Sequence, residues 1–207
     1  MAEDTGEVER PPLLLDGCPE SVRELAASCV DYVRQAVGFD LDLQADTLSV
    51  LDHYVAGART EVIERPELLP LLARAVGAYF GEMVRREHGG FWHVPGVDSH
   101  EWAVCLSDAF LCFNPVGVAH EALTLGTGDG GPAGTLRFAP DERAAIEARL
   151  AAMPPVDEEE YYALCTRWDV IELAHETLRA LMQQGGVEET VYELEDYEAV
   201  LAPAGSA

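Results

Sequence analysis

FWHVPGVDSHEWAVCLSDAFLCFNP, residues 91–115, is the stretch whose reading decides the fold. Phe91 to Val94, Trp102 to Leu106 and Ala109 to Phe113 are short aromatic or β-rich runs parted by turn residues, which predicts an antiparallel meander. With Ser107-Asp108 as a two-residue hairpin loop, Leu106 faces Ala109, Val104 faces Leu111 and Trp102 faces Phe113. Ala103, Cys105, Phe110 and Cys112 fill the opposite side, so both faces of the hairpin are apolar and both need covering. The covers available are the helices before and after it. The expected fold class is therefore α+β, with helices packed around a small antiparallel sheet of about three central strands.

Upstream, Val22, Leu25, Ala26, Cys29, Val33 and Val37 recur at helical spacing until Gly38. Asp46 is the expected N-cap of a second helix carrying Leu48, Leu51, Tyr54 and Val55, weakened at Gly57. A third runs from Pro66 to Glu87, with both prolines near its start and Gly89-Gly90 as its stop. Downstream, Asn114-Pro115 ends the last strand and opens a helix to about Leu123. TLGTGDGGPAG, residues 124–134, reads as a flexible glycine-rich loop. An extended piece at Leu136 to Phe138 leads to a helix over 140–153. One long helix is then expected from Asp157 to Gln184, its stripe Tyr161, Leu164, Trp168, Ile171, His175, Leu178 and Met182 stepping by three and four. Thr190, Tyr192 and Leu194, alternating with acids, suggest a C-terminal edge strand. The chain thus divides into an acidic arm (1–16), one domain (17–201) and a tail (202–207).

The formal charge is -25, from 38 acids against 13 bases, and every base is arginine. A charge of that size repels phosphate backbones and favours basic partners, so no nucleic-acid binding is expected. No apolar run is long enough for a membrane span, and the opening MAEDTGEVERPP lacks the basic start and apolar stretch of a secretory signal; a cytoplasmic location is the expectation. Five cysteines without a CxxC pair argue against a disulfide framework or a thiolate zinc site.

No cofactor is expected. Gly126, Gly128 and Gly131 spell GxGxxG, but Pro132 follows and no helix opens there, and a Walker motif cannot exist without lysine. No catalytic residue stands out: there is no GxSxG elbow, and Cys105 and Cys112 lie in an apolar strand without a basic neighbour. Glu82, His88, His93 and His100 lie close in sequence and are the one set that could serve a metal-assisted hydrolase, although their spacing matches no ligand pattern and no metal is assigned.

The most specific local pattern lies in the third helix. Ala73, Gly77 and Gly81 fall at four-residue steps, and glycine inside a helix costs about 1 kcal/mol relative to alanine, so two on one face imply close approach of another element. GAYFGEMVRREHGGFW, residues 77–92, together with Asn114-Pro115, resembles a family of small uncharacterised bacterial domains with a helical GxxxGE, a tryptophan, a strand pair and Asn-Pro. The resemblance covers residues 45–123 and maps onto Gly77, Gly81, Glu82, Trp92, Asn114 and Pro115. It implies the fold and carries no biochemical activity.

From Ala151 onward the only bases are Arg167 and Arg179. The C-terminal third is thus the expected face for a basic protein partner, with Trp168, His175 and the run Asp157, Glu158, Glu159 and Glu160 as candidate interface residues. The expected function is a non-catalytic, immunity-like or inhibitory interaction domain. The alternatives are the metal-assisted hydrolase and a structural subunit that buries the 161–182 stripe in an oligomer.

Overall fold

The computed structural model describes residues 17–201. The arm assigned to 1–16 and the tail at 202–207 lie outside the described residues. Helix α1 (Glu20–Val37) buries Val22, Ala26, Cys29, Val30 and Val33 along one face and ends on Gly38, whose left-handed conformation (φ 78°) lets its N–H return to Arg34 O. Helix α2 (Leu48–Glu64) follows a 3-10 turn over Ala45–Thr47 and runs through Gly57 without interruption. Asp46 does not cap it. The turn is organised by Asp42, whose carboxylate accepts from Gln44 N and Thr47 Oγ1, both at 3.0 Å.

Helix α3 (Leu69–His88) is the centre of the molecule. Every residue from Ala75 to Val84 is buried, as befits a helix covered on all sides rather than on one stripe. It packs on α1, on helix α4 (Pro115–Thr124) and on strands β1 (Gly90–His93) and β2 (Ala103–Leu106). β3 (Leu111–Phe113) and β4 (Arg137–Phe138) complete an antiparallel sheet of order β1-β2-β3-β4. The α+β fold of helices around a small antiparallel sheet is thus the one the meander predicted, with one change of membership: the fourth strand comes from residues 137–138 and not from the C-terminus.

The β2–β3 register differs from the two-residue hairpin. Val104 pairs with Phe113 and Cys105 with Cys112, so the connection is longer by two residues. A shift of two leaves every side chain on its original face. Val104, Leu106, Leu111 and Phe113 therefore still point into the main core, and Ala103, Cys105 and Cys112 into a second, smaller one.

That second core is closed by helix α8 (Leu194–Leu201), which stands where an edge strand was expected. The Tyr192 amide does donate to Ser107 O (2.7 Å), a single sheet-like bond. The chain then turns, because Asp196 reaches back to cap the Glu193 N–H (2.8 Å) and because Tyr197, Val200 and Leu201 share a face at helical spacing. The fully buried Tyr197 hydroxyl accepts from Leu111 N (3.0 Å) and lies 2.7 Å from Leu106 O and 2.9 Å from Ala109 O. Its ring stacks on Phe110 at 4.6 Å. One hydroxyl thus accepts from the turn's Leu111 amide and offers its single proton to the carbonyls beside it.

Helix α5 (Arg143–Leu150) precedes the segment expected as one long helix. That segment is two, α6 (Glu158–Tyr161) and α7 (Leu164–Gly185), separated by an extended Ala163. The break has a cause far away in sequence. Asp52 on α2 accepts from Leu164 N (2.6 Å) and Cys165 N (3.0 Å), capping α7 across the interior. Among the described residues, no helix is long and apolar enough to cross a membrane.

Candidate functional site

The six motif residues form one assembly at the α3–α4 crossing. A Cβ on Gly77 would stand 2.6 Å from Val116 Cα and 2.7 Å from Pro115 O, and one on Gly81 would stand 2.6 Å from Pro115 Cγ and 2.5 Å from the Trp92 ring. The two glycines are thus what lets the start of α4 lie against α3. Glu82, fully buried, receives a two-pronged bond from Arg85 (Nη2 at 2.7 Å, Nε at 2.8 Å) and a third from the Trp92 indole (3.0 Å). Asn114 caps α4 by accepting from Gly117 N (3.0 Å), and its amide donates to Ser99 O (2.7 Å), fastening the turn before β2. Glu82 is sealed from solvent with both oxygens engaged, so this cluster holds the fold together and presents no carboxylate to a substrate.

The chemistry-bearing residues are spread out. Burial, and next the Glu82 carboxylate, push the Cys18 thiol up to about 12, far from a thiolate at neutral pH. His88 packs between α3 and α7, its ring 4.5 Å from His175 and 5.9 Å from Trp168. Burial, reinforced by His175, lowers its pKa to about 4. His93 lies on β1 and is also lowered, mainly by burial. His100 is elsewhere, its two nitrogens on Asp98 Oδ1 (2.8 Å) and Gly130 O (3.0 Å), and the Asp98 bond raises its pKa. Glu82, His88, His93 and His100 are not drawn together. Among the described residues, no group of three or more His, Cys, Asp or Glu side chains is arranged to hold a metal ion. The hydrolase reading loses its ligand set.

Along α7, Leu164, Ile171, Ala174, Leu178 and Met182 are buried in the chain's own core, with Trp168 packed beside them. His175 is partnered by Asp108 (3.0 Å). The part of the stripe on α7 is covered from within, while Tyr161, at the end of α6, is exposed.

The acidic C-terminal third has a different character. From Ala151 it holds thirteen acids, of which twelve are exposed and Glu172 is half-buried. Asp157 caps α6 by accepting from Glu160 N (2.9 Å), and Glu158, Glu159 and Glu160 stand on its exposed first turn. Arg59, from α2, pairs with Glu159. The two local arginines turn inward: Arg167 bonds Glu121 (2.9 Å), while Arg179 donates to Asp108 O (2.7 Å) and Glu188 O (3.0 Å).

The glycine-rich loop, expected to be a flexible connection, lies against α4. Gly134 N donates to Glu121 Oε1 (2.9 Å), Gly131 abuts the His120 ring and Gly126 abuts Tyr162. Beside it opens a cavity whose residues come from α4, the loop, β4, α5, α6 and α7. No local sequence signal marks it, since its members are scattered over more than fifty positions. Compared with protein-family models, with curated proteins and with solved structures, the chain matches none. The resemblance drawn from Gly77, Gly81, Glu82, Trp92, Asn114 and Pro115 rests on those residues alone, and function has to be read from the site.

Proposed function

We propose that the chain is a non-catalytic interaction domain, of the immunity or inhibitory kind, whose acidic C-terminal third receives a basic protein. The observation that supports this most directly is that Arg167 is taken up by Glu121 and Arg179 by the carbonyls of Asp108 and Glu188, so that among the described residues the exposed carboxylates of α6 and of the segment from Glu188 to Glu198 have an arginine only at Glu159, from Arg59. Such a surface focuses negative potential outward. It accelerates encounter with a basic partner and repels nucleic acid.

The test is capture on the full chain, followed by measurement of association rates against salt. Captured partners should be basic, their association should slow as ionic strength rises, and neutralising Asp157, Glu158, Glu160, Glu188, Glu189 and Glu195 together (to Asn or Gln) should abolish capture while the domain stays folded. Acidic partners, or capture indifferent to salt and to these six changes, would rule the reading out.

A further inference from the structure

The cavity beside the glycine-rich loop has a volume of about 450 Å³, within the range of small-molecule sites. Its base is apolar, built from Val118, Leu136, Ile146 and Ile171. Two arginines, Arg143 and Arg167, line the cavity as well, in a protein with almost three acids for every base. Their hydrogen bonding is the informative feature.

Arg167 is held in place twice. Its guanidinium stacks over Tyr161 at 4.5 Å and Tyr162 at 5.3 Å, and its Nη2 donates to Glu121 Oε2 at 2.9 Å. The remaining donors are idle: Nε is buried with no acceptor, and Nη1 has none among the described residues. Arg143 lies over the Phe138 ring at 5.5 Å, and its nearest carboxylate, Glu147, is at 3.5 Å without a hydrogen bond among the described residues. Glu121, by contrast, is fully committed, one oxygen to Arg167 and the other to Gly134 N. Apart from Glu147, which stands next to Arg143, what these charged groups have to spare is donors.

We infer that this cavity is a binding site for a small organic monocarboxylate with an apolar body, its carboxylate on Arg167 Nη1 and the Arg143 guanidinium and its body on Val118, Ile146 and Ile171. The sign and size of the ligand charge follow from the walls. A cation would have to compete with Arg167 for Glu121 and with Arg143 for Glu147, whereas a dianion such as a phosphate monoester is opposed by both carboxylates and by the charge of -25. A monoanion with a charge-assisted, forked contact suits the planar guanidinium. The glycines of the loop acquire a purpose in this arrangement. Gly126 and Gly134 form the lip of the cavity, and a Cβ on either would collide, with Tyr162 in one case and with Val118 in the other.

The experiment is a titration of the isotope-labelled full chain with 3-phenylpropanoate, its amide and phenylalanine, following backbone and methyl NMR shifts. Saturable shifts confined to the cavity residues are expected for 3-phenylpropanoate, with the neutral amide weaker by about tenfold or more, the loss of one charge-assisted contact. Phenylalanine, whose ammonium meets the two arginines, should bind more weakly than the plain acid; binding as tight or tighter would overturn the assignment to a simple monoanion. Arg143→Gln removes an exposed side chain whose other contacts are the Phe138 ring and an exposed pair with Glu147, and Arg167→Lys keeps a cation for Glu121. Each should weaken 3-phenylpropanoate by about tenfold with the spectrum of the free protein preserved. An amide that binds as tightly as the acid, affinity unchanged in both variants, shifts away from the cavity, or no saturation at millimolar ligand each overturn the site.

Discussion

The indole N–H of Trp92 reaches the carboxylate of Glu82 at 3.0 Å, inside a site where Glu82 has no exposure to solvent and where Arg85 already grips both of its oxygens. A strand and a helix are thereby joined through one buried charge. A buried ion pair adds little relative to apolar packing, but removing one partner leaves an uncompensated charge, which costs about 3–5 kcal/mol. Glu82→Ala strands Arg85 and orphans the Trp92 donor together, and is expected to cost about that much in urea denaturation, with an unchanged slope. Glu82→Gln, which retains an acceptor for the indole, should cost less. Equal losses for the two variants would mean that the indole bond contributes nothing.

Gly77 and Gly57 both lie inside helices and should respond to alanine with opposite signs. At Gly57 an added Cβ meets nothing within 4 Å, so Gly57→Ala gains helix propensity and is expected to stabilise by about 0.4–1 kcal/mol. At Gly77 the same methyl group runs into the backbone of Pro115 and Val116, which no rotamer change can move. α3 and α4 must separate, and overpacking of this kind costs about 1–3 kcal/mol. Thermal melts of the two variants decide the matter. A neutral or stabilising Gly77→Ala would show that the helices do not approach as closely as described.

The sequence carried this helix crossing in plain view because its signals are local: two glycines four residues apart, a carboxylate beside the second, and Asn114-Pro115 as cap and first turn of α4. The strands were legible for the same reason, as short apolar runs between turn residues. What misled was tertiary. The β2–β3 turn is longer than two residues and wraps the Tyr197 hydroxyl, almost ninety positions downstream, which accepts from Leu111 N and offers its one proton to the neighbouring carbonyls of Leu106 and Ala109. The continuous periodicity of 161–182 hides a helix break made by Asp52, more than a hundred positions upstream. The acids around Tyr192 fit an edge strand and a helix start equally well, and burial of Tyr197 under the sheet selects the helix. The cavity has no local signature at all, since Arg143 and Arg167 become a pair only once α5 and α7 are packed.

Acid sensitivity should trace in large part to His88. Its side chain is 5% exposed, its Nε2 lies 3.3 Å from Glu172 without a hydrogen bond, and the groups around it are His175, Asp108 and Glu172. Burial, and then the neighbouring His175, depress its pKa from 6.5 to about 4 in the folded protein, so between those values the unfolded chain takes up a proton that the folded chain refuses. The stabilisation from burying neutral imidazole is complete above pH 6.5 and is lost as the pH falls towards 4, by on the order of 2 kcal/mol. His93 and His120, also lowered by burial, add slope of the same sign, whereas His100 is raised by Asp98 and its stabilisation is already complete below pH 6.5. His88→Phe removes only the first contribution. Urea denaturation of both proteins across this window should therefore show the parent losing stability more steeply than the variant, with the two curves diverging by about 2 kcal/mol at the acid end. Parallel curves would place the acid sensitivity elsewhere and leave His88 as a packing residue beside Trp168.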